Sequence, residues 1–540
     1  MYEVLFGLTL IFAIAAVLLL LATQLSLPII PFYLVAGILV GVAIDEAQLI
    51  DLAQWGIAFL VFLFGVHVDL DSIRATARTA AGVGVLQATA VGVAGGTVGL
   101  AVGLGALDAI YFGVAAALSS SLVARSYLDR PAGKPRVFER LSEAIHFTED
   151  VLGVLVVLAL SAFVYRPGSP GQQFLVAAGL VALALCLRYL LFHRATARIQ
   201  GDSEVMMLLG VSHVVGFIAL AEFVGLSIIV GAFAAGIAIA DDFPHSLELV
   251  DTVDDLEDFF SPIFFVTLGA LLSIPDPVTV GLATALVLLV LVVNPLVMTV
   301  ILLARGYESR TAVLTGLRLD QVSVFSLFVA LEALAGGTIG RQVFDAIILA
   351  AVVTMIAAAY TSRYDERLHR GLHETGIPRL FERFGPDRAQ VPDDLSDHVI
   401  VVGIEHGETD EIASALRTDR PVLAVEDDPT RLATVNEQYD AYVYGDALDD
   451  RVWQQARLED AALVLSLTPE LDRAAAVVSL DTAIPRLVRV DEPAAARTVL
   501  DRGASAVIYP DAVAGDRLAT DVEALLAGEI SPDAFSDRGW

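Results

Sequence analysis

Residues 144–158 read Ala144-Ile145-His146-Phe147-Thr148-Glu149-Asp150-Val151-Leu152-Gly153-Val154-Leu155-Val156-Val157-Leu158. An acidic pair runs without interruption into a stretch apolar enough to enter a bilayer. Two readings compete. In the first the pair ends a solvated loop, with Asp150 near an N-cap position. In the second the helix begins near Glu139, residues 139–163 form one long tilted span, and two carboxylates lie at membrane depth. Charges held there are costly and mark ion or proton paths, so the second reading makes the pair a functional site and is the one adopted.

The rest of the chain supports a membrane setting. It has 540 residues, 56% hydrophobic and 18% charged, with a mean hydropathy of +0.71, which argues against an ordinary soluble enzyme. Up to residue 360 the apolar residues come in blocks of about twenty, the length a bilayer core requires; beyond residue 370 the blocks end. Thirteen spans are expected, near 4–21, 28–43, 50–66, 81–103, 107–124, 146–164, 173–192, 205–221, 224–240, 256–273, 278–303, 311–333 and 343–361. The first has no basic flank and no small-residue cleavage site, and reads as a helix rather than a signal peptide.

Charge divides at the same boundary. Residues 1–370 carry a net −12 and residues 371–540 a net −19. So acidic a tail repels nucleic acid and anionic headgroups, and excludes both as its partners. Lys134 is the sole lysine among 33 basic residues, a composition suited to a salty cytoplasm where screening weakens self-repulsion. The single cysteine, Cys186, lies in an apolar run, which excludes disulfides and cysteine metal sites. Alternate loops hold Arg74, Arg78, Arg125, Arg130, Lys134, Arg136, Arg140, Arg194, Arg198, Arg305 and Arg310, against Arg166 and Arg341 on the other side. Basic residues stay inside. This places the amino terminus outside and the tail in the cytoplasm of a multi-pass plasma-membrane protein.

Other polar groups occupy the spans. Ser119, Ser120 and Ser121 interrupt the apolar fifth span. Any one of them can fill a packing position between helices, but three together predict local unwinding, which frees carbonyls and hydroxyls to replace a cation's hydration shell. A nearby carboxylate then holds a proton or a hard cation in competition. In the twelfth span Arg318 and Asp320 are two residues apart and share no helical face, so each is expected to face a partner on another helix, unless Arg318 snorkels to the interface. Gln321 and Ser323 stand beside them. Asn294-Pro295 is expected to break the eleventh span, Asp241-Asp242 to sit at a cytoplasmic mouth, and His67 and His213 to be packed histidines, His213 being the better functional candidate.

These segments, in this order, resemble the monovalent cation:proton antiporter-2 family, over nearly the whole chain. The most specific stretches are Gly225-Leu226-Ser227-Ile228-Ile229-Val230-Gly231-Ala232-Phe233-Ala234-Ala235-Gly236 and Phe264-Phe265-Val266-Thr267-Leu268-Gly269-Ala270, which looks like the family's FF-x-x-x-G segment. The resemblance implies inverted repeats, a homodimer, an unwound helix at Ser119–Ser121 and an ion-binding aspartate at Asp150. Ser119, Ser120 and Thr148 would add oxygens. Potassium-efflux members look like Gln-Asp at the acidic pair and electrogenic sodium exchangers like Asp-Asp; this chain has Glu149-Asp150. The lysine that electrogenic relatives pair with the site is absent or replaced, with Arg318 as the candidate counter-charge. Where potassium-efflux members carry Gln-Gly-x-Glu-Phe, this chain reads Gln321-Val322-Ser323-Val324-Phe325. Na⁺ against K⁺, and the stoichiometry, stay open.

Residues 365–396 are polar, contain Pro378, Pro386 and Pro392, and read as a linker between a membrane domain, 1–364, and a tail domain, 397–540. Alternating segments follow: strands at His398–Val402, Val422–Glu426, Ala441–Tyr444, Ala462–Leu465, Arg486–Val490 and Ser505–Tyr509, with helices at Asp410–Leu416 and near Thr430–Glu437. Right-handed crossovers make this a doubly wound parallel sheet. It resembles the nucleotide-binding domain attached to potassium channels and transporters, through Gly403, Glu426, Gly445-Asp446 and Gly503-Ala504, with the family's further C-terminal lobe missing. The glycine turn is degenerate: Glu405 and Glu408 stand where glycines belong, and Gly407 is off register. Glu426 suits a ribose diol, which makes NAD(H) or an adenosine nucleotide a candidate ligand; a fold kept for dimerisation or for sensing something else is the alternative reading. The whole reads as a secondary transporter exchanging Na⁺ or K⁺ for H⁺, and not as an enzyme. A ligand-gated cation channel, which lacks its Thr-x-Gly-Tyr-Gly filter here, and a non-transporting sensor are the rivals.

Overall fold

The structure is a computed structural model. It describes all residues except 1, 26, 42–45, 67–69, 121–136, 165–169, 189–202, 240–246, 375–388, 393, 404–419, 428–430, 446, 449, 469–470, 491–492, 528–529 and 532–540. The expected features at Ser121, His67, Asp241-Asp242, Asp446, the glycine turn and the helix at Asp410–Leu416 lie outside the described residues. The chain divides into two compact units, one formed by residues 1–128, 141–301 and 313–371, the other by 129–140, 302–312 and 372–540.

The first unit is helical. Its elements are α1 (Tyr2–Leu25), α2 (Ile29–Val40), α3 (Glu46–Val66), α4 (Leu70–Ala101), α5 (Ala106–Ala117), α6 (Val137–Val164), α7 (Pro170–Leu187), α8 (Ser203–Val224), α9 (Ile228–Ala238), α10 (Leu247–Ala270), α11 (Pro277–Leu288), α12 (Asn294–Ala304), α13 (Ser309–Leu317), α14 (Val324–Ala335), α15 (Arg341–Arg363) and α16 (Asp365–Glu374). Among the described residues three helical stretches are long and apolar enough to cross a membrane: Ala80–Ala101, Pro277–Ala304 and Arg341–Arg363.

Lipid offers apolar side chains no reason to leave it, so helices in a bilayer associate by close packing of small residues. The two specific motifs are built for this. Gly225 takes φ +81° in the turn between α8 and α9, and Ser227 caps α9 by accepting from Ile229 N–H at 3.2 Å. A β-carbon on Gly236 would lie 2.2 Å from the Phe62 carbonyl oxygen of α3. At the second motif, a β-carbon on Gly269 of α10 would lie 2.0 Å from the Leu34 carbonyl oxygen of α2. Phe264 of that motif is fully buried and stacks edge-on against Phe328 of α14, centroids 5.0 Å apart. The residues that carry the family signature therefore set helix crossings.

Asn294-Pro295 does not break its helix. Residues Leu289–Val293 widen into a π turn, with Asn294 N–H donating to Leu289 O, and α12 then continues. Pro295 lacks an N–H and its ring collides with the preceding turn; one extra residue per turn relieves both problems without ending the helix. Proline inside α10, at Pro262, is likewise accommodated.

The second unit contains a seven-stranded sheet: β1 (Ala389–Gln390), β2 (His398–Val402), β3 (Val422–Glu426), β4 (Ala441–Tyr444), β5 (Ala461–Ser466), β6 (Arg486–Arg489) and β7 (Ala506–Ile508). The order is β1-β4-β3-β2-β5-β6-β7, parallel throughout except for β1. All five residues of β2 and of β3 are buried, as both-face coverage by helices requires. Those helices are α17 (Leu432–Gln438), α18 (Asp450–Gln455), α19 (Leu471–Val478), α20 (Pro493–Asp501) and α21 (Pro510–Leu526). The antiparallel edge strand is a departure from the sequence reading. Ala389 and Gln390 fall within the polar stretch read as linker, yet pair with Val443 and Tyr442. Two residues are too few to show an alternating pattern. His398 is buried in β2, donates from Nε2 to Ala456 O at 2.9 Å, and is pushed by burial below the usual 6.5.

Candidate functional site

The site forms where two helices of the first unit stop. α5 ends at Ala117, and Leu118 is extended at φ −97°, ψ 133°. α13 ends at Leu317, and α14 starts at Val324 after Ser323 caps it, accepting from Phe325 N–H at 3.0 Å. Serines near chain breaks compete with helix bonds through their own hydroxyls. Stopping a helix in apolar surroundings strands backbone groups, each costing about 1–3 kcal/mol when buried without a partner.

Several of the stranded groups have identifiable partners. Ser323 N–H donates to Leu118 O at 3.0 Å, so the two breaks touch through their backbones. Val322 N–H donates to Thr354 Oγ1 of α15 at 3.1 Å. The Gln321 amide donates to Ser120 O at 3.0 Å and to His146 Nε2 of α6 at 3.3 Å. Ala117 O accepts from Gln87 of α4 at 3.2 Å, and Leu319 O accepts from Asn294 at 2.6 Å. Ser119 N–H donates to Glu149 Oε2 at 2.8 Å, and its hydroxyl donates to the same oxygen.

α6 crosses this junction. Successive residues turn by about 100°, so His146, Glu149, Asp150 and Gly153 share one face. Three of them are placed by contact: His146 on Gln321, Glu149 on Ser119, and Gly153 against Phe325 of α14, where a β-carbon would lie 2.6 Å from Phe325 Cβ. Asp150, between them on that face, is 2% exposed. The acidic pair is interior to a helix starting at Val137. Glu149 is fully buried, and its Oε1 has no hydrogen-bond partner among the described residues.

Of the residues singled out from sequence, Ser119, Ser120, Glu149, Asp150 and Gln321 come together here. Thr148 does not. It lies off the shared face, donates to Ala144 O of its own helix at 2.8 Å, and packs against Gly84 of α4. Arg318 is buried and lies 3.8 Å from Asp365. Asp320 accepts from the Thr361 hydroxyl near the end of α15. The His213 ring lies tilted against Phe217 of its own helix, centroids 4.7 Å apart. Sequence reasoning gave no role to the buried polar side chains of His146, Gln87 and Glu332, the last accepting from Ser227 Oγ at 3.5 Å, and read Asn294 only as part of a helix break. A lone amide inside an apolar run, as at Gln87, was the available signal.

In the sheet unit Gly403, Glu426 and Gly445 gather at the carboxyl ends of β2, β3 and β4, whereas Gly503-Ala504 precedes β7 at the opposite end of the strands. β2 lies between β3 and β5, the switch point at which open α/β sheets bind ligands. Gly403 ends β2 with φ +78° and packs on Thr468, which follows β5. Glu426 accepts from Asp427 N–H at 3.0 Å and lies 3.8 Å from Arg431, while Gly445 N–H donates to its carbonyl at 3.0 Å. Arg473 of α19 grips Asp427 with both terminal nitrogens.

Comparison with known proteins identifies the family of each unit. The sodium/hydrogen exchanger transmembrane family matches residues 10–363, and the TrkA-N domain matches residues 399–510. The glutathione-regulated potassium-efflux system protein KefC of Klebsiella pneumoniae subsp. pneumoniae is 26% identical over 469 residues, 84% of this chain and 73% of its own. The iron transporter MagA of Paramagnetospirillum magneticum is 27% identical over 390 residues, 68% of this chain and 87% of its own. The sodium proton antiporter MjNhaP1 from Methanocaldococcus jannaschii matches in fold with a TM-score of 0.52 at 14% identity, over 69% of this chain and 98% of that one. The chain therefore belongs to the sodium/hydrogen exchanger family, as a cation:proton antiporter-2 type secondary transporter with a C-terminal TrkA-N domain.

Proposed function

We propose that this antiporter exchanges Na⁺ or K⁺ for protons at the crossing of the two helix breaks, with Asp150 and Glu149 alternately holding the cation and protons. The observation that carries this is Glu149. Ser119 fixes one of its oxygens from two donors, and the other has no hydrogen-bond partner among the described residues. An oxygen held so, beside the exposed backbone of an unwound segment, is a ligand for a hard cation or a resting place for a proton. Ser119 and Ser120 supply further oxygens.

Two carboxylates can release two protons for one monovalent cation. Transport is then electrogenic, and Glu149→Gln protein, which keeps one titrating group, is expected to become electroneutral. Proteoliposomes with imposed potentials check this: flux in wild type responds to potential, and flux in the variant does not. Equal responses in both would remove Glu149 from the exchange.

The thirteen spans, inverted repeats, external amino terminus and cytoplasmic tail belong to the same reading. Its support is that each expected span holds a helix and that basic residues gather on one side. A homodimer follows from the family. The tail regulates transport, and the TrkA-N match supports a nucleotide as its ligand. The residues fit a ribose, through Glu426 at the switch point, and the sequence argues against a pyrophosphate, because Glu405 stands where the motif has its middle glycine. No step of transport is routed through it. Glu405→Gly protein is expected to bind NAD⁺ about tenfold more tightly than wild type, the effect of removing roughly 1.4 kcal/mol of repulsion, with adenosine binding unchanged. Titration calorimetry on the full chain measures both.

A further inference from the structure

We propose that Gln87 and Asn294 form an amide clamp that sets the spacing of the two helix breaks and so positions the cation site. The proposal rests on the antiport reading and adds positioning residues to it. Neither side chain has any exposure. They come from α4 and α12, the helices packed on the ends of α5 and α13, and they bond in a single chain. The Gln87 amide nitrogen donates to Ala117 O at 3.2 Å and to Asn294 Oδ1, and the Asn294 amide nitrogen donates to Leu319 O at 2.6 Å.

Both ends of the chain are backbone carbonyls, which only accept. Each residue must therefore present an NH₂ outward, and the link between them must run from nitrogen to oxygen. Amides satisfy this and ionised carboxylates cannot, since a carboxylate at 294 would face the Leu319 carbonyl oxygen with no hydrogen between them. The two anchored carbonyls are the last of α5 and one of the first stranded beyond α13. Ser119, which orients Glu149, lies two residues past the first anchor; Gln321, which holds Ser120 O and His146, lies two past the second. The π turn just before Asn294 is the local distortion that accompanies the polar side chain in an otherwise apolar helix. Changing the length of either amide moves one break against the other, while their sum of lengths is what the clamp conserves.

The test uses full-length protein in proteoliposomes with an internal pH dye, Na⁺ and K⁺ each added alone. Gln87→Asn and Asn294→Gln are each expected to raise the cation KM roughly tenfold, as misplacing a site by a fraction of an ångström does, with maximal rate changed less than KM. The exchanged pair Gln87→Asn/Asn294→Gln restores the total length and should return KM to within about twofold of wild type. Asn294→Asp is isosteric: protonated, it rebuilds both bonds, so its KM should approach wild type in acid and climb as pH rises. Wild-type KM in both single variants, or an exchanged pair no better than the sum of its singles, would overturn the clamp. If wild type itself moves no protons, the antiport reading falls; melting of the same variants then judges the clamp, recovery in the exchanged pair supporting it and additive losses overturning it.

Discussion

Asp150→Asn protein, reconstituted at high salt, is expected to show no cation-dependent proton movement above that of empty vesicles. Asparagine keeps the shape and removes the charge and the titrating group. Asp150 is 2% exposed on a face of α6 whose other members touch both helix breaks, so no other carboxylate on that face except Glu149 can take its place. Glu149 keeps one oxygen unpartnered among the described residues, but Ser119 anchors it to the first break, and in the proposed cycle it acts only together with Asp150. A folded variant with wild-type flux would remove Asp150 from the site.

The second large effect is on folding. Gly269→Ala introduces a methyl group 2.0 Å from the Leu34 carbonyl oxygen, and the next atoms it meets, at 2.8 and 2.9 Å, are also Leu34 main chain. Neither helix can yield locally, and α2 and α10 must separate. Overpacking of this kind costs about 1–3 kcal/mol, and more where backbone is the obstacle. The same substitution at Gly281 of α11, where nothing lies within 4 Å, is expected to be neutral. Melting of the two detergent-solubilised variants gives the contrast. Equal stability would show that the α2–α10 crossing is not close.

Much of this was legible in the sequence for physical reasons. The strands at 398–402, 422–426 and 441–444 are compact apolar runs between turns, and the structure places them at the same bounds. The acidic pair announced itself because charge in an apolar run has few bland explanations. Three adjacent serines signalled the end of α5. What could not be read was partner choice. Whether Arg318 serves the carboxylates or Asp365 depends on how α15 and α16 pack, and Thr148 sits beside the site in sequence but about 100° or more around the helix from its face. Gln87 and Asn294 are 207 residues apart, and no periodicity connects them. Asn294-Pro295 was read as a break because proline usually ends a helix; the π turn is the alternative that sequence alone does not distinguish.

The most direct measurement is cation-induced proton flux by the wild-type protein. It is reconstituted in proteoliposomes at high salt, with a trapped pH dye and an imposed pH gradient, and Na⁺ and K⁺ are added in separate runs. The account predicts a saturable pH change with at least one of the two cations, lost in Asp150→Asn. Wild type that is folded and inserted, yet moves no protons with either cation, would contradict it.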